Sequence, residues 1–367
     1  MKCIFTGGGT LGHTNPAIAV AEKIREKCNS SEIVFIMRKG GAENREVLKR
    51  GFEVKEISIE GFIRNGGIRN NIHTCALATR AVKECMTVIK DIDPRFIFGT
   101  GGYVSFAPIV AGLIKGVPTF VHESNSMPGL VTKIVTKLGA IPLVSTEAAK
   151  DRLKCKKDCK VVGTPLLPSF GAISKNEARR QLGIDKSKFF IVSFGGSGGS
   201  KALNDIISDL MNERCKQKTS ITQIHATGSK YFEKAKQKYP ELINGASGQK
   251  IVSRIENMPL YMSAADMIIC RCGASTIAEI IAVGRPAVLI PSPNVTDNHQ
   301  YENGVSLVNA NAAMMLEEKD LTKESLSNKI SFLLQSEKER KSLEENLAKL
   351  KKRDSASIIA DILIGSL

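Results

Sequence analysis

The chain has no tryptophan, and only 5% of its 367 residues are aromatic. No dense Lys/Arg block interleaved with aromatics occurs, which disfavours stacking of single-stranded nucleic acid. No apolar run approaches the ~20 residues that a membrane-spanning helix needs. The longest, such as "FAPIVAGLI", fall well short. Membrane contact is therefore expected to be peripheral. A secretory leader is not expected, because Lys2–Phe5 is too short and runs straight into a glycine loop. The nine cysteines are an odd number, and the nearest pairs, Cys155/Cys159 and Cys270/Cys272, are not CxxC. With only five scattered histidines, no zinc spacing emerges, and reduced thiols in a reducing cytosol are expected.

What is there begins with charge. Lys and Arg number 52 against 37 Asp and Glu, a net charge of 52 − 37 = +15. Such an excess suits nucleic acid, an anionic membrane surface or phosphorylated substrates. Short apolar runs alternate with longer amphipathic ones, the pattern of an α/β protein with a parallel sheet. Strands are predicted at Lys2–Phe5, Ile33–Met37, Phe52–Ile57, Phe96–Phe98, Thr119–His122 and Ile141–Val144. A second series is predicted at Phe189–Phe194, Thr222–Ala226, Met267–Cys270 and Ala287–Ile290. Between the series, "VVGTPLLPSFGAISK" reads as a linker near residues 163–175. Each half opens with a strand, a Gly-rich loop and a helix, so two similar domains are expected. The expected division is 1–163, 164–345, and a C-terminal helix at 346–367 that packs back toward the N-terminal domain.

Three glycine loops carry the chemistry. In "FTGGGTLGHTNPAIAVAEKI", Gly7, Gly9 and Gly12 fit G-x-G-x-x-G. The acidic residue of a dinucleotide site is missing at the end of the second strand, where Arg38 and Lys39 stand; Arg38 would tolerate NADP. Asn15 as N-cap and Pro16 at the first helical position would start a helix whose N–H groups suit an oxyanion or diphosphate. His13 just before that positive end is a candidate neutral base or, alternatively, a structural hydrogen-bonder. "FGGSGGSKALND" places Ser197 in G-x-S-x-G, which imitates a hydrolase elbow. Asp297 and His299 follow in hydrolase order but only two residues apart. Phosphate or sugar binding is the other use of such a loop. The third loop, "FGTGGYVSFAPIVAGLI", also follows a strand, at the edge where open parallel sheets bind ligands.

Two further segments offer polar groups. In "CRCGASTIAEIIAVGRP", Thr276-x-x-Glu279 reads as a capping box, or Glu279 as a first-turn carboxylate that binds a diol such as ribose. In "PSPNVTDNHQYEN", Asn298 and Gln300 are amides of the kind that read sugar hydroxyls, or are simply solvated. The segment "IRNNIHTCALATRAVKECMTVIK" spaces Leu77, Val82, Met86 and Ile89 helically, with Arg69, Arg80, Lys83 and Lys90 among them. It reads as a core helix with a basic face, or as a surface resting on anionic lipid together with Lys115, Lys133 and Lys137.

Taken together, "TGGGTLGHTNPAIAVA", "GTGGYVSFAP", "VHESNSMPGL", "SFGGSGGSKALN", "RCGASTIAEIIAVGRPAVLIPSP" and "DNHQYENG" resemble, in order and spacing, the MurG family of peptidoglycan glycosyltransferases. The resemblance spans nearly the whole chain. It implies a GT-B fold, two Rossmann-like domains with a cleft between them. It implies an inverting hexosyltransferase that moves GlcNAc from UDP-GlcNAc to the muramoyl sugar of lipid I, forming lipid II for cell-wall synthesis, cell shape and division. It implies a peripheral place on the cytoplasmic face of the plasma membrane, no cofactor, no metal and no nucleic acid, and contacts with other cell-wall synthesis proteins. No Asp-x-Asp metal site lies near the donor residues.

By the same resemblance, His13 matches the suspected general base. Thr10, Leu11 and Gly12 lie against the donor, and Asn125 contacts its GlcNAc side. Ser197 faces the nucleotide and Ile255 the uracil, through its backbone. Ser275 and Thr276 head the helix that meets the diphosphate, Glu279 takes the ribose hydroxyls and Gln300 reads the sugar hydroxyls. Departures are Leu167 where an Arg of an "NPVR"-type linker is frequent, "HES" for "HEQ", Cys272 for a small residue, and Gly199 and Lys201 in the second-domain loop. The alternatives are another UDP-sugar GT-B glycosyltransferase, a serine hydrolase using Ser197, or a non-catalytic nucleotide- or membrane-binding protein. A fluorophosphonate probe and thermal shift with UDP-GlcNAc or NADPH discriminate among them.

Overall fold

The computed structural model describes residues 1–61, 68–155, 157–217, 219–351 and 354–366; of residues 68–73, 75 and 296 it describes the backbone alone. Two units emerge, Met1–Leu167 with Lys352–Leu367, and Pro168–Lys351. The boundaries fall at 167 and 351 rather than 163 and 345 because Leu167 packs with the first unit's core and Leu347 is buried in the second's. The tail is two helices. Glu337–Leu350 belongs to the second unit, and Ser355–Gly365 to the first.

In the first unit the strands are β1 (Lys2–Thr6), β2 (Glu32–Arg38), β3 (Glu53–Ile57), β4 (Ile97–Gly99), β5 (Thr119–Glu123), β6 (Ile141–Val144) and β7 (Lys160–Val161). They form one parallel sheet in the order β3-β2-β1-β4-β5-β6-β7. Strands such as "EIVFIMR" are apolar between their charged ends because both faces of a parallel sheet are covered. Register gathers the scarce aromatics. Phe5 pairs with Phe35 on one side and Phe98 on the other. Both ring centroids lie 5.5 Å from that of Phe5. Phe52, Phe96 and Phe120 extend the same core. The Leu11–Lys27 helix covers it with Ile18, Val20 and Ile24, and the Ser355–Gly365 helix with Ile359 and Leu363. Ion pairs Lys23–Asp354 and Lys27–Asp361 join these two helices.

The helix Ile68–Ile92 turns its apolar stripe inward. Ala81, Cys85 and Ile89 are buried with Ile4 and Ile36, and Val82 and Met86 pack beside them. Of the apolar positions singled out in its sequence, Val82, Met86 and Ile89 therefore belong to the core. Arg80, Lys83 and Lys90 are exposed, and Arg80 pairs with Glu84. The side chain of Arg69 lies outside the described residues.

The second unit contains β8 (Phe189–Phe194), β9 (Ile221–Ala226), β10 (Gln249–Val252), β11 (Met267–Cys270), β12 (Ala287–Leu289) and β13 (Met314–Met315), parallel in the order β10-β9-β8-β11-β12-β13. Both sheets thus reverse strand order beside their first strand. That reversal leaves a crevice at the carboxyl ends of β1 and β4, and of β8 and β11.

Candidate functional site

In the first unit, two glycine loops meet at the switch point. Gly7 follows β1, and Thr100-Gly101-Gly102 follows β4. A Cβ on Gly7 would lie 2.0 Å from Thr100 Oγ1. One on Gly102, at φ +73, would lie 2.5 Å from the Gly8 carbonyl oxygen. Only glycine permits this closeness. The helix after the first loop begins at Leu11, with Thr10 as an extended N-cap, so Asn15 and Pro16 lie inside it. The earlier start is fixed by Thr14, whose hydroxyl contacts the Gly7 and Thr10 carbonyls at 3.1 and 3.2 Å.

His13 therefore sits within the first turn rather than ahead of it. Its Nδ1 lies 3.0 Å from the Thr100 carbonyl oxygen, while the Thr100 hydroxyl donates to the His13 carbonyl. A carbonyl only accepts, so Nδ1 carries a proton, and in the neutral ring Nε2 is the nitrogen with the lone pair. The ring is half-buried, with Gly101 and Gly102 packed against it. Thr10 and Gly12 are exposed beside it and Leu11 is half-buried. The Gly9 N–H is already taken by the buried Glu43 carboxylate, 2.6 Å away. This loop therefore departs from the expected anion cradle: a protein carboxylate fills part of it.

Asn125 follows β5. The Glu123 carboxylate accepts from the Asn125 backbone N–H and side-chain amide, both at 3.0 Å, and from Gly129 N–H and the Thr132 hydroxyl. The amide is thus held from below by a buried acid. His122 beside it is fully buried and pushed down to about 4 by desolvation, a structural group that donates to the Gly163 carbonyl.

In the second unit, the loop after β8 lifts Ser197 into solvent at its tip. No hydrogen bond among the described residues joins Ser197 to a histidine. His225 is instead buried, bonded to Ser193 and Asn204, and lowered to about 4 by desolvation. The elbow pattern is present in sequence, but among the described residues no histidine is bonded to its serine. The loop ends at Ser200, whose hydroxyl accepts from the Leu203 N–H. It borders a cavity of ≈ 500 Å³ lined by Ser200, Lys201, Arg271, Ser292, Gln300 and Glu318. Gln300 is fixed there by accepting the Ser292 N–H at 2.9 Å. Asn298 caps the Gln300 helix from a left-handed backbone conformation.

After β11, Gly273 is the N-cap of the helix Ala274–Val283, with no side-chain cap. Ser275 and Thr276 lie in its first turn and are half-buried. Glu279 is the sixth residue of this helix, so the predicted capping box does not form and the carboxylate lies one turn further on. Burial raises the Glu279 carboxyl to about 8. Among the described residues nothing hydrogen-bonds or ion-pairs with it. The Ile255 side chain is buried in the core beside Met262, so only its backbone is available to a ligand.

The structure thus gathers Thr10, Leu11, Gly12 and His13 at one switch point, and Gln300 with the Ser197 loop round the other unit's cavity. Ser275, Thr276 and Glu279 share one helix. Sequence reading missed Glu43, Thr100, Glu123, Arg271 and Glu318. Arg271 stood within a quoted motif and Glu123 within "HESN". Glu43 carried no local signal at all.

Residues 3–139 match the glycosyltransferase family 28 N-terminal domain, and residues 190–359 the family 28 C-terminal domain. A relative from Thermoanaerobacter sp. (strain X514) is 36% identical over 364 residues, covering 99% of both chains. One from Leuconostoc mesenteroides is 34% identical over 368 residues, covering 100% of this chain and 99% of its own. Both are named UDP-N-acetylglucosamine–N-acetylmuramyl-(pentapeptide) pyrophosphoryl-undecaprenol N-acetylglucosamine transferase. The crystal structure of Acinetobacter baumannii MurG superposes with a TM-score of 0.73 at 23% identity, over 99% of each chain. That likeness is one of fold, two Rossmann-like domains of the GT-B type.

Proposed function

We propose, from the premise that this chain belongs to glycosyltransferase family 28, that it transfers GlcNAc from UDP-GlcNAc to the muramoyl sugar of lipid I, giving lipid II with inversion. The observation that carries the reading is the relatedness to transferases named for this reaction, which runs through both units at 34–36% identity.

The residues take roles as follows. The acceptor hydroxyl attacks C1 of the donor sugar as the bond from C1 to the diphosphate oxygen breaks. Nε2 of His13 takes the hydroxyl proton, because Nδ1 is committed to Thr100. The N-terminal turn that holds Ser275 and Thr276, capped by Gly273 with no side-chain bond, stabilises the departing diphosphate. Glu279, for which no hydrogen-bond or ion-pair partner exists among the described residues, accepts the ribose hydroxyls as a carboxylate. Ile255 meets the uracil through its backbone, and Ser197 lies against the nucleotide. Gln300 and Asn125, each held by a second protein group, read the GlcNAc hydroxyls. Thr10, Leu11 and Gly12 line the donor beside the base. Incubating the protein with UDP-GlcNAc and a lipid I analogue should release UDP and give a product heavier by one GlcNAc. UDP release without that product would point to hydrolysis and contradict the assignment.

The acceptor is a lipid, and among the described residues no helix is long and apolar enough to cross a membrane. The reading places the enzyme peripherally on the anionic cytoplasmic face of the membrane, where it also meets other cell-wall synthesis proteins. Ile114, Leu130 and Leu138 of the first unit are exposed at 58, 61 and 55%. Lys115 and Lys137 adjoin Ile114 and Leu138 in sequence, and Lys133 follows Leu130 by three residues. Each cation near an anionic surface adds about 1 kcal/mol, lost as salt rises. Anionic liposomes should capture the protein at low salt and neutral ones much less. Replacing Lys115 and Lys137 by Glu should reduce capture while UDP binding stays intact. Capture indifferent to lipid charge would refute this placement.

A further inference from the structure

At the second unit's switch point one cation is almost wholly engaged by the protein. Arg271 directly follows β11 and is only 8% exposed. One terminal guanidinium nitrogen donates to the Ile290 and Pro291 carbonyls, at 3.2 and 3.1 Å. The other donates to the Ser200 hydroxyl and to the Glu318 carboxylate. These partners belong to three different segments: the exit of the glycine loop after β8, the segment after β12, and the turn after β13. An Arg has five N–H donors in a rigid fork, and four of them are spoken for here. Little remains for a ligand. The guanidinium is a cross-link between loops.

We propose that the Glu318–Arg271 pair positions the nucleotide-sugar pocket. The inference rests on the reading that the cavity of the second unit is part of the donor site. Arg271 fixes Ser200, and with it the point where the glycine loop enters the Lys201–Gln217 helix. It also fixes Pro291, next to Ser292, whose N–H holds the Gln300 amide. Ser200, Ser292, Gln300, Arg271 and Glu318 all line the same cavity. Glu318 supplies the charge without which a buried guanidinium would be uncompensated. Lys at 271 would lack the planar fork needed to reach three loops at once. Neither residue touches the reacting atoms; both act through Ser200 and Gln300.

The test compares wild type, Glu318→Ala, Glu318→Gln and Arg271→Lys. UDP affinity is measured by calorimetry, and steady-state kinetics use UDP-GlcNAc and a lipid I analogue below each variant's unfolding transition. Glu318→Ala should weaken UDP and raise the UDP-GlcNAc KM about tenfold or more, because misplacement of binding groups by an ångström is felt on that scale. The acceptor KM and the kcat at saturating donor should stay within about threefold. Glu318→Gln keeps an acceptor oxygen and should recover most of the loss; Arg271→Lys should not. If Glu318→Ala fails to fold, the other two variants decide. An unchanged donor KM with a lowered Tm, or equal rises in both KM values, would make the pair merely structural and overturn the proposal. Wild-type protein that transfers GlcNAc beside unaltered variants overturns this inference alone. Wild-type protein that neither binds UDP nor transfers overturns it together with the functional reading.

Discussion

The two units share a topology and use it differently. Each opens with a strand, a glycine loop and a helix, and each reverses strand order at that point. In the first unit the loop is occupied in part: Glu43 takes the Gly9 N–H, and the two glycine loops pack against His13. In the second the crevice stays open as a cavity of ≈ 500 Å³. With the Gly9 N–H taken, the first loop has one donor fewer for a phosphate, while it still orients an imidazole. A glycine-rich motif thus fixes where a backbone can approach closely, and the side chains that enter the loop decide what it approaches.

The largest effect expected is at His13. If the first unit's crevice does chemistry and the second's binds, His13→Ala should lower kcat by ~10²–10⁴ with little change in UDP affinity. A variant with normal turnover would remove the base from the first unit.

Next is Glu279. Loss of a charge-assisted hydrogen bond of roughly 1.5–3 kcal/mol should weaken UDP binding of Glu279→Ala by about 10- to 150-fold, with kcat at saturating donor nearly kept. The carboxyl is raised from 4.5 to about 8 in the folded protein. A raised acid stabilises the fold fully below 4.5, and that contribution is lost as pH rises through 8. Glu279→Gln should therefore gain thermal stability over wild type at pH near 9 but not at low pH. Because the ligand prefers the carboxylate, UDP affinity of wild type should rise with pH up to about 8 and then level off. Calorimetry in buffers of different ionisation enthalpy should report proton release near neutrality. A flat pH profile would separate Glu279 from the donor.

A smaller effect is expected at the seam of the first unit's two glycine loops. Gly102→Ala puts a methyl 2.5 Å from the Gly8 carbonyl and should cost about 1–3 kcal/mol of stability, read as a lowered Tm. Turnover should fall with it, since the same loop orients His13, while UDP affinity holds. The smallest effect is at Glu43. Its removal should cost about 1–3 kcal/mol and bare the Gly9 N–H. Inorganic phosphate should then raise the Tm of Glu43→Ala and not that of wild type. Identical phosphate responses would show that the carboxylate is not what limits phosphate at the first loop.

Much of this was legible in the chain. Apolar runs at even intervals marked the main strands, and the glycine loops marked both switch points. The edge strands β7 and β13 have two residues each, too few for any periodicity, and "QKIV" of β10 is half polar. The helix after the first loop has Thr10 rather than Asn15 as its N-cap, because a second capping-type residue stands five positions upstream and Thr14 bonds back to its carbonyl. The spacing Thr276-x-x-Glu279 imitates a capping box that the true N-cap, Gly273, rules out. Glu43 reaches Gly9 across 34 residues, and Glu318 reaches Arg271 across 47. No local pattern records such pairings; they exist only once the sheets are assembled.

The most direct test is the configuration at C1 of the transferred sugar. UDP-GlcNAc carries its GlcNAc in the α configuration, and a single in-line displacement must invert it. NMR of the disaccharide formed from UDP-GlcNAc and a lipid I analogue should show a β linkage, and none should form with His13→Ala on the same timescale. An α-linked product, or a β-linked product made equally fast without His13, would contradict the account.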